Sequence, residues 1–114
     1  MINIESGQVV RVAGYQDGLP QELAADAPQV QQLLGLQLPD WDRALDLCRD
    51  GARHFAPLKF QSWDIALTDS GPVIVEINPG SSFTLPQLAE GKGFLTDHFL
   101  EFLHKCGCKL KSRS

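Results

Sequence analysis

No stretch of the 114 residues approaches the run of about 20 apolar residues that a membrane-spanning helix needs. The first residues, MINIESGQVVRV, lack the basic and apolar regions of a secretory signal, so a cytoplasmic location is expected. Positive charge is also in short supply. Ten Lys and Arg face fourteen Asp and Glu, a net charge of -4, which argues against nucleic acid or an anionic membrane as a partner. Cysteine is sparse and odd in number. Cys48, Cys106 and Cys108 exclude a disulfide framework and fit free thiols in a reducing compartment. Cys106 and Cys108 form a C-x-C pair, but no further Cys or His cluster completes a tetrahedral metal set. His54, His98 and His104 are too scattered for a helical metal pair.

What is present is an ordinary globular composition, 43% apolar and 21% charged, of a length that favours one domain. INIESGQVVRV reads as a small hairpin turning at Ser6-Gly7. Residues 13–38 read as a long loop with a short helix in PQVQQLLGL, ended near Gly35. LPDWDRALDLCRDGARHFAP is the clearest helix. Trp41, Ala44, Leu45, Cys48, Ala52 and Phe55 form its apolar stripe, with Asp40 as its cap and Pro57 as its stop. FTLPQLAEGKGFL reads as irregular, and Lys92 within it as a solvated turn lysine. A last helix is expected from Thr96 to Cys106, ended by Gly107. The order hairpin, loop, helix, hairpin, helix predicts an α+β fold, an antiparallel sheet with helices packed on one face. Residues 107–114 read as a basic, disordered tail.

The second hairpin, WDIALTDSGPVIVEINPGSS, carries polar groups in an apolar setting. A three-residue loop, Asp69-Ser70-Gly71, would pair Thr68 with Pro72, Ala66 with Ile74 and Asp64 with Glu76. Opposed residues share a face, and Asn78 lies two residues further along it. Trp63, Ile65 and Leu67 would then share the other face with Val73, Val75 and Ile77. A two-residue loop would instead place Asp64 opposite Val75 and separate the two acids. Opposed carboxylates repel. They are either simply solvated or compensated, and an Asp, a Glu and an Asn carbonyl form a hard oxygen set suited to Mg²⁺ or Mn²⁺. Gly80, Ser81 and Ser82 follow directly, in a turn able to hold an anion.

At WDIAL and GPVIVEIN the sequence resembles the ATP-grasp superfamily, and most of all its sugar-transfer-associated, alpha-L-glutamate ligase-related group. The likeness rests on Trp63 to Thr68, then Gly71, Pro72, Glu76 and Asn78, with NIESG and LPDWDRAL upstream. It implies the C-terminal lobe of an ATP-grasp domain, ATP and Mg²⁺ as cofactors, and Asp64, Glu76 and Asn78 as metal ligands. The implied activity is ATP-dependent ligation of a small carboxylate substrate through an acyl phosphate. A glycine-rich phosphate loop is missing upstream, and only Lys59 represents lysine before Asp64. The expectation is therefore a partial ATP-grasp-like domain spanning 1–114, completed by a missing N-terminal lobe or by a homodimer. The alternative is an inactive truncated remnant serving as a structural or interaction module.

Overall fold

Two short antiparallel hairpins and four helices make up the protein, whose computed structural model describes residues 1–109. The order is β1 (Ala13–Gln16), β2 (Leu19–Glu22), α1 (Pro28–Leu33), α2 (Trp41–His54), β3 (Ser62–Thr68), β4 (Gly71–Asn78), α3 (Thr84–Glu90) and α4 (Asp97–Lys105). The fold is α+β, and the strands are divided between two two-stranded sheets, β1–β2 and β3–β4. No helix of the described residues is long and apolar enough to cross a membrane.

The first expected hairpin is only a bridge between Ile2 and Val9. The Asn3 side chain explains this. Its Oδ1 accepts from the amides of Glu5 and Ser6, each at 3.0 Å, and bends the chain before a ladder can extend. The true N-terminal hairpin lies in the stretch read as loop. Asp17 and Gly18, at φ 52° and 76°, form the tight two-residue turn that joins β1 to β2. The Asp-Gly pair was the sequence signal for it.

Helix α1 starts with Pro28 in its first turn and buries Val30. Helix α2 buries Ala44 and half-buries Trp41, Leu45, Cys48 and Ala52, the stripe expected from spacing, though Phe55 at its C-cap is exposed. Asp40 does not cap it by side chain. It adopts a left-handed backbone, and its carboxylate takes Arg43 at 3.2 Å instead. Trp41 ties the helix to the N-terminal turn by donating Nε1–H to the Ile4 carbonyl at 2.8 Å.

FTLPQLAEGKGFL is not irregular throughout, since α3 forms within it and ends at Gly91, φ 72°. Pro86 falls in its first turn, where a missing amide costs nothing. Helix α4 matches its expected limits. The Thr96 Oγ1 accepts from Phe99 N at 3.3 Å, and Cys108 N and Gly107 N donate to Leu103 O and His104 O. Residues 110–114 of the expected tail lie outside the described residues.

Among the described residues, Val30 and Ala44 are the only buried apolar side chains. An aromatic cluster supplements them. Phe83 and Phe99 each lie 5.2–6.1 Å from Phe60, from Phe94 and from each other, ring centre to ring centre, and the cluster joins the 56–61 linker to α4.

Candidate functional site

The site is built on β3 and β4. Alternation in WDIALT suits a strand with one face against protein, and α2 supplies that cover. The Trp63 ring fills the space where a side chain at Gly51 would sit, with Cη2 2.6 Å from that position. It also packs against Phe55 at 6.0 Å, and its Nε1–H donates to Gln61 Oε1 at 3.1 Å. The glycine that weakens α2 as a helix is thus the notch that seats Trp63.

The hairpin closes differently from the expected three-residue loop. Thr68 pairs with Gly71, Leu67 with Pro72, Ala66 with Val73 and Ile65 with Ile74. The Thr68 hydroxyl donates to Gly71 O at 2.7 Å and accepts from Ser70 N at 3.2 Å, which draws the turn tight around Asp69 and Ser70. Gly71, at φ 112°, follows with Arg43 lying over it: Nη2 is 2.5 Å from where a Cβ would stand. A side chain there would meet both backbone strain and the guanidinium.

A regular ladder after this turn would place Asp64 opposite Val75. The ladder is not regular. The register shifts between Asp64 and Ile65, Val75 becomes the extra residue of a bulge, and Asp64 pairs with Glu76. Beyond it Trp63 pairs with Ile77 and Ser62 with Asn78. The bulge therefore restores the opposition that the shorter turn removes. It also corrects the expected faces. Ile74 joins Ile65, whereas Val73 joins Ala66.

Asp64, Glu76, Asn78 and Ser62 share a face by register. Asp64 and Glu76 are exposed, and Asn78 is half-buried. Neither carboxylate takes part in any ion pair or side-chain hydrogen bond among the described residues. Unit charges about 4 Å apart in water repel by only about 1 kcal/mol, so exposure makes the pair tolerable without a resident cation. The same two carboxylates with the Asn78 amide oxygen offer three hard donors on one wall and leave other positions to water or phosphate oxygens, a set that suits Mg²⁺ or Mn²⁺. No cluster of three or more His, Cys, Asp or Glu exists among the described residues, so the set requires the amide.

The Gly80–Ser82 turn is partly engaged. Ser81 Oγ donates to Asn78 O at 3.0 Å, and Ser82 Oγ accepts from Thr84 N at 3.2 Å, which leaves the Ser82 hydroxyl hydrogen free to donate. Gly80 stands in open space. Lys92 lies 3.8 Å from Glu90. Two depressions lie away from the acids. One of about 540 Å³ lies at the junction of β1–β2 and α3 and is lined by Arg11, Tyr15, Thr84 and Lys92. The other, of about 660 Å³, is lined by Cys48, Ala52, Phe60, Trp63, Phe99 and Phe102. Burial in that second groove pushes the Cys48 thiol above its ordinary pKa.

One residue escaped sequence reasoning. The Arg11 guanidinium spans Glu22 and the carbonyls of Leu88 and Ala89, contacts 11 to 78 residues away in sequence that no local pattern announces.

The family model for sugar-transfer associated ATP-grasp proteins matches residues 1–101. No curated protein and no solved structure matches the chain.

Proposed function

The chain belongs to the sugar-transfer associated ATP-grasp family, and from that premise we propose that β3 and β4 form the cation-binding wall of an Mg-ATP site in an ATP-dependent carboxylate ligase. The observation that carries this reading is the opposition of Asp64 and Glu76 across a bulged ladder, unpaired, with Asn78 on the same face. Their oxygens hold Mg²⁺ or Mn²⁺, and the Ser82 hydroxyl and Gly80 backbone border the phosphate side. A bound Mg²⁺ supplies charge neutralisation at the transferring phosphoryl group. The reaction class is transfer of the ATP γ-phosphoryl group to a small carboxylate, giving an acyl phosphate and ADP, followed by displacement of phosphate by a nucleophile. The strands fix the two acids on a rigid scaffold rather than on a loop, which favours a constant ligand geometry. Cytoplasmic residence accords with three free thiols.

The test is a Mn²⁺ titration followed by paramagnetic broadening, repeated with ATP in the presence and absence of Mg²⁺. Binding should fall at least about tenfold in Asp64→Asn and in Glu76→Gln, the loss of one charged ligand costing more than about 1.4 kcal/mol. Equal affinity in both variants and the parent would remove these residues from the site.

A second reading has its own observation. The chain exposes 8709 Å², whereas a folded monomer of 12.5 kDa exposes about 6,200 Å². Its radius of gyration, 16.4 Å, exceeds the roughly 13 Å usual for this length. Val73, Ile74 and Val75 stand 42–66% exposed on β4, a strand with one partner only. Such surface suits an interaction module covered by a further lobe or by a second copy of the chain. Light scattering at several concentrations separates the two covers: a strict monomer excludes the second copy.

A further inference from the structure

Arg11 is the least exposed cationic side chain among the ion pairs of the described residues, at 17%, and its hydrogen bonds tie its own segment to β2 and, 77 and 78 residues away, to α3. Nε donates to Glu22 Oε2 at 3.0 Å, on β2. Nη1 donates to Leu88 O at 2.8 Å and to Ala89 O, two of the last carbonyls of α3. Both lie in the last turn, where carbonyls lack an i+4 amide inside the helix; Leu88 O takes only a long bond, 3.3 Å, from the capping Gly91 amide, and the dipole there favours a cation. Nη2 lies 2.7 Å from the position a Cβ would take at Gly91, whose φ of 72° ends the helix. A guanidinium meets a carboxylate and two carbonyls at once because its donors are fixed in a planar fork. A lysine ammonium has the charge without the fork.

Helix α3 has only seven residues, so clamping one end restrains the other. That other end begins at the Gly80–Ser82 turn, tied on one side to Asn78 by Ser81 and on the other to Thr84 by Ser82. A chain of contacts therefore runs from Arg11 through α3 to the residues that follow the last candidate cation ligand.

We propose that Arg11 is a positioning residue: by clamping the C-terminal end of α3 to β2 it sets the place of the Gly80–Ser82 turn against the Asp64, Glu76 and Asn78 face. The inference rests on the Mg-ATP reading for its functional consequence, but not for the clamp. Removing the guanidinium loosens the phosphate side of the site and leaves the cation ligands on β3 and β4 where they are.

The experiment compares the parent chain with Arg11→Ala, Arg11→Lys and Gly91→Ala. The last keeps the guanidinium but crowds its Nη2 and strains the left-handed backbone at the helix end, so the two Arg11 variants carry the comparison. Hydrogen exchange is followed at the α3 and 79–82 amides and at the β3–β4 amides. Mn²⁺ alone and Mg²⁺ with inorganic triphosphate are titrated in parallel. The expected result is faster exchange confined to α3 and 79–82 in all three variants. Mn²⁺ affinity should stay within about twofold, and triphosphate affinity should fall about tenfold, equivalent to about 1.4 kcal/mol of binding. Arg11→Lys should not rescue it. Unchanged exchange at α3 overturns the clamp. Faster exchange with undiminished triphosphate binding overturns the positioning role. Absence of Mn²⁺ and triphosphate binding in the parent chain overturns the ligase reading and the positioning role together, while the exchange data still decide the clamp.

Discussion

The two hairpins of this protein are built to the same plan and end differently. Both are antiparallel pairs closed by two residues beginning with Asp. In β1–β2, Asp17 and Gly18 both take left-handed backbone, the turn matches the strand twist, and four pairs run in unbroken register. In β3–β4, neither Asp69 nor Ser70 has positive φ; the left-handed residue is Gly71, and the ladder absorbs an extra residue at Val75. The straight hairpin lies against α3, and its second strand is exposed throughout. The bulged hairpin is held by α2 on one face and presents two carboxylates on the other. A bulge is thus the feature that brings Asp64 opposite Glu76, in keeping with the use of bulges to re-aim side chains near functional sites.

The largest expected contrast is in stability. Trp63→Ala empties the notch at Gly51 and should destabilise the protein by about 3 kcal/mol in chemical denaturation. Tyr15→Ala, at a 57% exposed position on β1, should stay within about 0.5 kcal/mol of the parent. Equal losses would erase the distinction between a hairpin seated by a notched tryptophan and one whose strand side chains lie exposed. The turns differ by less. Gly71→Ala meets both positive φ and the Arg43 guanidinium and should cost about 2 kcal/mol, whereas Gly18→Ala meets positive φ in open space and should cost about 1 kcal/mol. A larger loss at Gly18 would show that the guanidinium simply moves aside.

Smaller still is a chemical difference. Cys48 lies in the apolar groove beneath Trp63, and burial raises its pKa, so its thiolate appears only at higher pH than for a free thiol. Alkylation by iodoacetamide should be slower at Cys48 than at the exposed Cys106 and Cys108. Its rate should still be rising with pH above the range where a free thiol levels off. Because burial favours the neutral thiol, stability from this group is present below the free-thiol pKa and is lost as pH climbs through the raised value. Prompt labelling of Cys48 near neutral pH in the folded chain would mean that the groove opens.

Much of this was legible in residues. The stripe from Trp41 to Ala52, the limits of α4 and its Thr96 cap follow from spacing and local chemistry. Asp64 and Glu76 do stand opposite one another, but not through the three-residue turn and regular ladder that their spacing predicts. The shorter turn and the bulge cancel. Apolar alternation specifies which residues are strand but tolerates an added residue where an edge is open, so Val75 gave no warning. The Asn3 turn and the Asp17-Gly18 hairpin were readable in principle. There, side-chain capture of backbone amides and left-handed turn preferences outweighed the apolar alternation that suggested strands elsewhere.

The chain alone determined α1, α2 and α4, its α+β class and the presence of two acids and an amide in neighbouring strands, because each depends on interactions within a few residues. Tertiary structure decided which acid faces which, which glycine admits Trp63, and that Arg11 reaches across 77 residues to the end of α3. Those outcomes depend on what packs across the sheet and beyond the turn. A one-dimensional pattern carries hydrophobic period and turn preference, but it does not carry the shape of the opposing surface.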